Sequence, residues 1–366
     1  MTQATIKVSD LVDVMERLAP AGLALDWDNV GLQLGEPDWP VSRVLLTLDV
    51  TPGAVEHAVA LGADLIITHH PLIFKPLPRL TDARLLRLAE RRIAVFCAHT
   101  NLDVAPAGVN AALARRLELA DCVFLSDQSG TEWFHVSVYV PIEATDTLAE
   151  AVHRAGAGRI GHYDRCSVRH EVSGAYRPLP GSRPVVGQAG QEVRRAETEL
   201  EFMVDGVHLP AVMESLKAAH PYETPAYGIH TLHNPSPNYG LGLIGRLPAP
   251  QPLRDFARTV KSRLNAPMVR LWPASRKTDF PVQRVAVVGG SGKNLLRQAA
   301  GRADVLVTAD MDYHSLLDSP LPVIDAGHFH TEYPVLEDLQ AHVQALGLAA
   351  EILGPDDHEI HRLLWI

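Results

Sequence analysis

The chain has 366 residues, 46% of them hydrophobic and 21% charged, with a formal net charge of -10. Length predicts two or three domains of about 150 residues each, and the acidic balance excludes a global basic footprint for nucleic acid. No apolar run reaches the ~18 residues of a membrane span. The three cysteines (Cys97, Cys122, Cys166) form no CxxC pair and read as small buried side chains in a reducing compartment. The N-terminal segment MTQATIKVSDLVDVMERLAP lacks the pattern of a secretory leader. Together these features predict a cytoplasmic protein.

In chain order, Ser9-Asp10 before LVDVMERLAP predicts an N-cap and a first helix. Strands are expected at 43–50, 64–69 and 93–100, with helices over 53–62 and 83–92 between them. That alternation is the signature of a parallel sheet covered by helices. The rhythm returns near the C-terminus at RVAVVGG (284–290), DVLVTAD (304–310) and LPVIDAGHFHTE (321–332). Arg43-Val44 matches Arg284-Val285, and DLIIT (64–68) matches DVLVT (304–308). One unit therefore occurs twice, predicting two similar α/β halves facing each other. The stretch between them has a different texture. Strands near 132–140, CSVRHEV, 198–205 and 227–232, with helices at 147–158 and 210–220, read as βαβ twice, a ferredoxin-like α+β insert. The expected boundaries are 1–127 for the first half, 128–233 for the insert and 234–366 for the second half, with NPSPN (234–238) as the returning linker.

Functional groups of a parallel sheet belong at the carboxyl ends of its strands. His69 and His70 end one expected strand, Asp103 follows the next, and His328 and Glu332 follow the third strand of the second half. Adjacent residues of an extended chain point to opposite faces, but at a strand end, with Pro71 redirecting the chain, two neighbours can splay around one crevice. His328 and Glu332 are four apart and converge in a helical turn. Among 18 histidines a His-His pair is unremarkable; the GHFHTE cluster at the matching place in the repeat makes the functional reading the better one. These five residues predict two divalent ions about 3.5–4 Å apart, with Glu332 shared and a coordination position open for chemistry. Imidazole and carboxylate donors without thiolate suit zinc, manganese, iron or cobalt. His99 and His330 are candidate orienting residues, and Asp310 and His314 are candidate substrate or orienting residues.

Other motifs carry less. VGGSGKN (288–294) fails as a P-loop, because Val287 stands where the first glycine is needed and Asn294 where Ser or Thr binds magnesium. It reads as a glycine-rich turn with amides free to receive a phosphate. In WDNVGLQLG (27–35), Asp28 and Asn29 are turn residues or crevice-lining ones. HPYETPAY (220–227) reads as a turn fixed by stacked rings, with a small-ligand contact as the alternative.

WDNVGLQLG, ITHHPLIF, AHTNLD and GHFHTE occur in the order seen in the dinuclear-metal-centre proteins called GTP cyclohydrolase I type 2 homologues, the NGG-one-interacting-factor-three-like family, which the chain resembles over essentially its whole length. GAGRIGHYDRCSV and HPYETPAYGIH are similar to the insert of longer bacterial members. The resemblance implies a divalent pair between two α/β halves, a toroidal homohexamer and a PII- or CutA-like insert for sensing or gating. It puts the ligands on His69, His70, Asp103, His328 and Glu332, with His69 and Asp103 on one ion, His70 and His328 on the other, and Glu332 shared. The expected function is a metal-dependent hydrolase of a nucleotide-like or phosphorylated small molecule, with His99 or His314 moving protons. The alternative is a non-enzymatic metal-binding regulatory or chaperone-like assembly. Nucleic acid and membrane are not expected partners.

Overall fold

Runs such as LIIT and AVFC offer no polar face, so they form strands only where both faces of a sheet are covered. The computed structural model describes residues 5–126, 132–234 and 238–359. The first part of the chain supplies β1 (Gly31–Leu34), β2 (Arg43–Thr47), β3 (Leu65–Thr68), β4 (Ala94–Cys97) and β5 (Ala120–Ser126). The middle part supplies β6 (Trp133–Pro141), β7 (Val168–Tyr176), β8 (Val193–Asp205) and β9 (Tyr227–Leu232). The last part supplies β10 (Leu241–Pro252), β11 (Arg270–Trp272), β12 (Pro281–Ser291), β13 (Val305–Ala309), β14 (Val323–Asp325) and β15 (Ala349–Ile352). Every residue of β3, β4, β13 and β14 is buried.

Two compact units result: Met1–Gln128 with Pro237–Ile366, and Ser129–Ser236. The first unit holds two sheets. One has the order β1-β4-β3-β2-β15 and the other β11-β14-β13-β12-β10-β5. In each, three parallel strands (β2-β3-β4 and β12-β13-β14) are flanked by an antiparallel edge strand, β1 on β4 and β11 on β14. The duplication extends to single hydrogen bonds. Asp64 Oδ2 accepts from Ser42 N and Arg43 N as Asp304 Oδ2 accepts from Gln283 N and Arg284 N. Ala98 N donates to Thr68 O as Ala326 N donates to Thr308 O. The halves also exchange strands: β5 joins the second sheet beside β10, and β15 joins the first, parallel to β2.

Helices cover these sheets where the sequence punctuates them. Thr51 caps Pro52–Leu61 by accepting from Ala54 N, with proline in the first turn and Gly62 at φ +67° ending it. Asp82 caps Ala83–Arg91 by accepting from Arg84 N. The first helix begins one turn earlier than Ser9-Asp10 suggests, at Val8. Asp10 lies within its first turn and accepts from Lys7 N at 2.8 Å. Cys97 alone of the cysteines is buried; Cys122 is exposed and Cys166 partly so, because Cys122 lies on the solvent-facing edge strand β5 and Cys166 in the loop before β7.

The second unit is a four-stranded antiparallel sheet of order β7-β8-β6-β9, with the helices Thr145–Arg154 and Leu209–Ala219 making the two crossovers. This is the ferredoxin-like arrangement. Its core packs Val136, Val138, Leu148, Val152, Phe202 and Leu216. Tyr222 stands at its turn, with its ring 5.2 Å from His220 and 6.0 Å from Tyr176, and donates from Oη to the buried Glu197 at 2.6 Å. Tyr176 and Tyr222 border a cavity of about 440 Å³ lined also by Tyr139, Pro184 and Val185. Among the described residues, no helix is long and apolar enough to cross a membrane.

Candidate metal centre

The β3 ladder ends at Thr68, and the next two residues hold their backbone by donating to the neighbouring segment, His69 N to Thr47 O and His70 N to Leu48 O. Beyond β4 the chain turns into the short helix Thr100–Val104, which carries Asp103. Beyond β14, Gly327 at φ +85° starts the helix His328–Glu332, whose i, i+4 spacing aims its two ends at one point. His328 Nε2 lies 3.0 Å from Glu332 Oε1. Glu332 Oε2 is 3.2 Å from His70 Nε2, and Oε1 is 3.6 Å from His69 Nε2. Asp103 Oδ1 is 3.8 Å from His69 Nε2. The fold thus brings all five residues together, from three strand ends and two sheets.

Each imidazole is held by its far nitrogen. Nδ1 of His69 bonds Ala98 O at 2.8 Å, and Nδ1 of His70 bonds Asp49 Oδ1 at 2.8 Å. His99 Nδ1 bonds Asp28 Oδ1 at 2.9 Å, and His328 Nδ1 bonds Asp310 Oδ2 at 2.5 Å. Nε2 is therefore the nitrogen each ring leaves for other partners, the arrangement found where carboxylates and carbonyls orient metal-binding histidines. Two groups have donor atoms all within 4.8 Å: His70, His328 and Glu332, and His69, His70 and His99.

Burial penalises the Glu332 carboxylate, but the imidazoles of His69, His328 and His70 outweigh it and hold the group well below the usual range. Burial also opposes charge on His70, yet Asp49 and Glu332 raise it to about 10; Glu332 and Asp310 raise His328 to about 9. His69 is raised by Glu332 and Asp103 against its own complete burial. Burial pushes Asp103 up. A buried glutamate here demands positive charge, from protons on the ring nitrogens or from a cation replacing them. Three atoms aimed into this space, His69 Nε2, Asp103 Oδ1 and Glu332 Oε2, are buried without a hydrogen-bond partner. Unpaired buried polar atoms are costly. Mixed imidazole and carboxylate donors with unspent lone pairs fit a divalent cation.

The sequence profile described as Duf34/NIF3 (NGG1p interacting factor 3) matches residues 6–353. The chain belongs to the Duf34/NIF3 family. It is 36% identical over 328 residues to the Halalkalibacterium halodurans protein named GTP cyclohydrolase 1 type 2 homolog, covering 87% of each chain. The Bacillus subtilis protein of the same name is 36% identical over 334 residues, 89% of each. The crystal structure of a Bacillus cereus protein related to NIF3 superposes with TM-score 0.79 at 36% identity, covering 96% of each chain.

Other residues of this Duf34/NIF3 chain find different places. His314 is exposed on the helix Tyr313–Leu317, its ring 5.2 Å from Tyr313, and among the described residues no hydrogen bond joins it to the cluster. The ring of His330 lies 5.3 Å from Phe329. In the glycine-rich turn the three glycine amides that a phosphate would need are already taken. Gly289 N donates to Asn110 Oδ1, Gly290 N to Thr331 Oγ1 and Gly292 N to Thr308 Oγ1. Its glycines make room instead: a Cβ on Gly290, at φ +60°, would lie 2.4 Å from Glu332 Oε1. Asp49 escaped the sequence reading, although it follows β2 at the same kind of strand end as His69 and His70.

Proposed function

We propose that this protein is a divalent-metal-dependent hydrolase with a dinuclear centre, acting on a nucleotide-like or phosphorylated small molecule. The single observation that carries the reading is the buried Glu332 between imidazoles whose Nε2 atoms converge on it, with unpaired lone pairs left over. The relatives' name, GTP cyclohydrolase 1 type 2 homolog, supports the choice of substrate class. His69 and Asp103 would hold one ion, His70 and His328 the other, and Glu332 both. Zinc, manganese, iron or cobalt suit these donors. Such a pair supplies Lewis-acid activation of the electrophile and of the hydrolytic nucleophile. The chain's own residues do the rest. Asp28, buried and held well below the usual carboxylate range mainly by hydrogen bonds from His99 and Thr100 against the cost of burial, fixes the His99 ring so that Nε2 is the nitrogen placed to move a proton. Asp49 and Asp310 keep His70 and His328 from rotating. His314 takes no step. The homohexamer that the sequence resemblance implies is checked by light scattering on the purified protein.

The test is elemental analysis of native protein followed by a hydrolysis screen on nucleotides and phosphoesters. His70→Ala and Glu332→Ala are expected to lose bound metal and turnover while keeping the far-ultraviolet dichroism of the parent. Undiminished turnover in a metal-free variant rejects the reading. The cavity beside Tyr222 favours a second one, a metal-stabilised assembly whose insert senses a ligand; a metal-loaded protein inert throughout the screen selects it.

A further inference from the structure

Two large aromatic side chains stand in solvent beside the donor cluster. Trp27 is 57% exposed and Phe74 46%. Their ring centroids are 5.8 Å apart at 58°, and the Trp27 ring meets His99 edge-on at 6.1 Å and 73°. Exposed rings this size are usually spent on packing or on binding, and these are not packed away. Nor are they on loose chain. Trp27 sits in a turn closed by Asp28 N donating to Leu25 O, and Leu25 N donates to Thr100 Oγ1 at the start of the Asp103 helix. Phe74 follows Ile73, whose amide donates to Gln33 Oε1 at 2.9 Å and whose carbonyl accepts from the side chains of Asn29 and Gln33. Asp28, next to Trp27, is the residue that orients His99. Rings and imidazole are therefore set by one hydrogen-bonded frame.

We infer that Trp27 and Phe74 form a stacking subsite for a purine-like fused heteroaromatic ring, which holds the rest of the molecule against the His69/His70/Glu332 cluster. The two rings touch each other at a tilt and still leave ring surface in solvent, and stacking on such an aromatic face is tolerant of which base is bound. Because Trp27 meets His99 edge-on, a ring stacked there would lie beside the cluster, with its attached polar group free to reach the His69/His70/Glu332 donors. This rests on the preceding reading only in taking the cluster as the place where the substrate's polar end arrives; binding and turnover are measured separately.

The probe is guanosine 5′-monophosphate, titrated into the manganese-loaded full-length protein by calorimetry and tryptophan emission, with ribose 5-phosphate as the ringless control. The nucleotide is expected to quench wild-type emission. Trp27→Ala and Phe74→Ala are each expected to weaken its binding about tenfold, with Trp27→Phe restoring most of the affinity. Ribose 5-phosphate should bind wild type and Trp27→Ala alike, and metal content and elution volume should not change. Equal nucleotide affinity in wild type and Trp27→Ala overturns the inference, as does failure of wild type to bind. A changed oligomeric state in Trp27→Ala also overturns it, by marking the rings as a subunit contact. Binding with no hydrolysis leaves the subsite standing and removes only the hydrolase.

Discussion

Glu332 shows how much of the site depends on single atoms. Its carboxylate is 4% exposed and lies within 3.6 Å of three imidazole nitrogens, so any neighbour that pushes it spoils several contacts together. Gly290 is that neighbour. Gly290→Ala is expected to cost roughly 1–3 kcal/mol for the left-handed backbone alone, and to displace Oε1 as well. Elemental analysis should find reduced metal content, and thermal unfolding a lowered midpoint. At this scale the sequence was informative where a rule of position existed. Strand ends pointed to His69, His70, Asp103, His328 and Glu332. The same rule covered Asp49 in LTLDV, but aspartate in that place is also an ordinary turn residue. Gly290 was illegible because its reason lies in a contact with a residue far along the chain.

Elements set which of these atoms can meet. The helix His328–Glu332 converges its ends only because Gly327 permits the turn after β14. The expected strands at 64–69 and 93–100 overran the observed β3 and β4, since an apolar run does not reveal where its ladder stops, and the functional residues begin just past that stop. In the insert, the turn after the helix Leu209–Ala219 is tied by His220. Its Nδ1 accepts from Tyr222 N at 3.0 Å, so Nε2 carries the proton donated to Tyr139 O at 3.0 Å. Burial lowers the His220 pKa below 6.5, only partly offset by that carbonyl and by Glu197. A lowered histidine pKa means the folded form prefers the neutral ring. The stabilisation is therefore complete above the unfolded value of about 6.5 and lost as pH falls through it toward the folded value. Thermal scans of the full chain from pH 7 to 5 should show the insert's transition falling. His220→Asn, which keeps an acceptor but does not titrate, should flatten that dependence.

For the molecule as a whole, the exchange of β5 and β15 binds the two α/β sheets of the first unit to each other's chain segments. The repeat was legible because DLIIT and DVLVT are nearly the same string with the same roles, down to the Asp64 and Asp304 hydrogen bonds. The exchange was not. ADCVFLS and AAEI are short edge strands whose partners are chosen by space, and β15 pairs with residues some three hundred positions earlier. Without it, the β2 edge is bare and prone to self-association, and the His57–Glu351 side-chain hydrogen bond is gone. A chain ending after Leu348 is expected to elute as aggregate, or to melt at least ~5 °C below the full-length protein. Size-exclusion chromatography and thermal unfolding measure this. The full chain should show no separate transition for either α/β sheet.

The repeat is faithful in its scaffold and unfaithful at its tips. Counting from the matched aspartates Asp64 and Asp304, the place of His70 in one half is filled by Asp310 in the other. One of these side chains faces the cluster, while the other stands behind His328 as its brace. A site between two identical halves related by a two-fold rotation would accept a visitor either way round. This cluster is flanked by different chemistry on its two sides, so a substrate reaching it would be sorted by which end goes first.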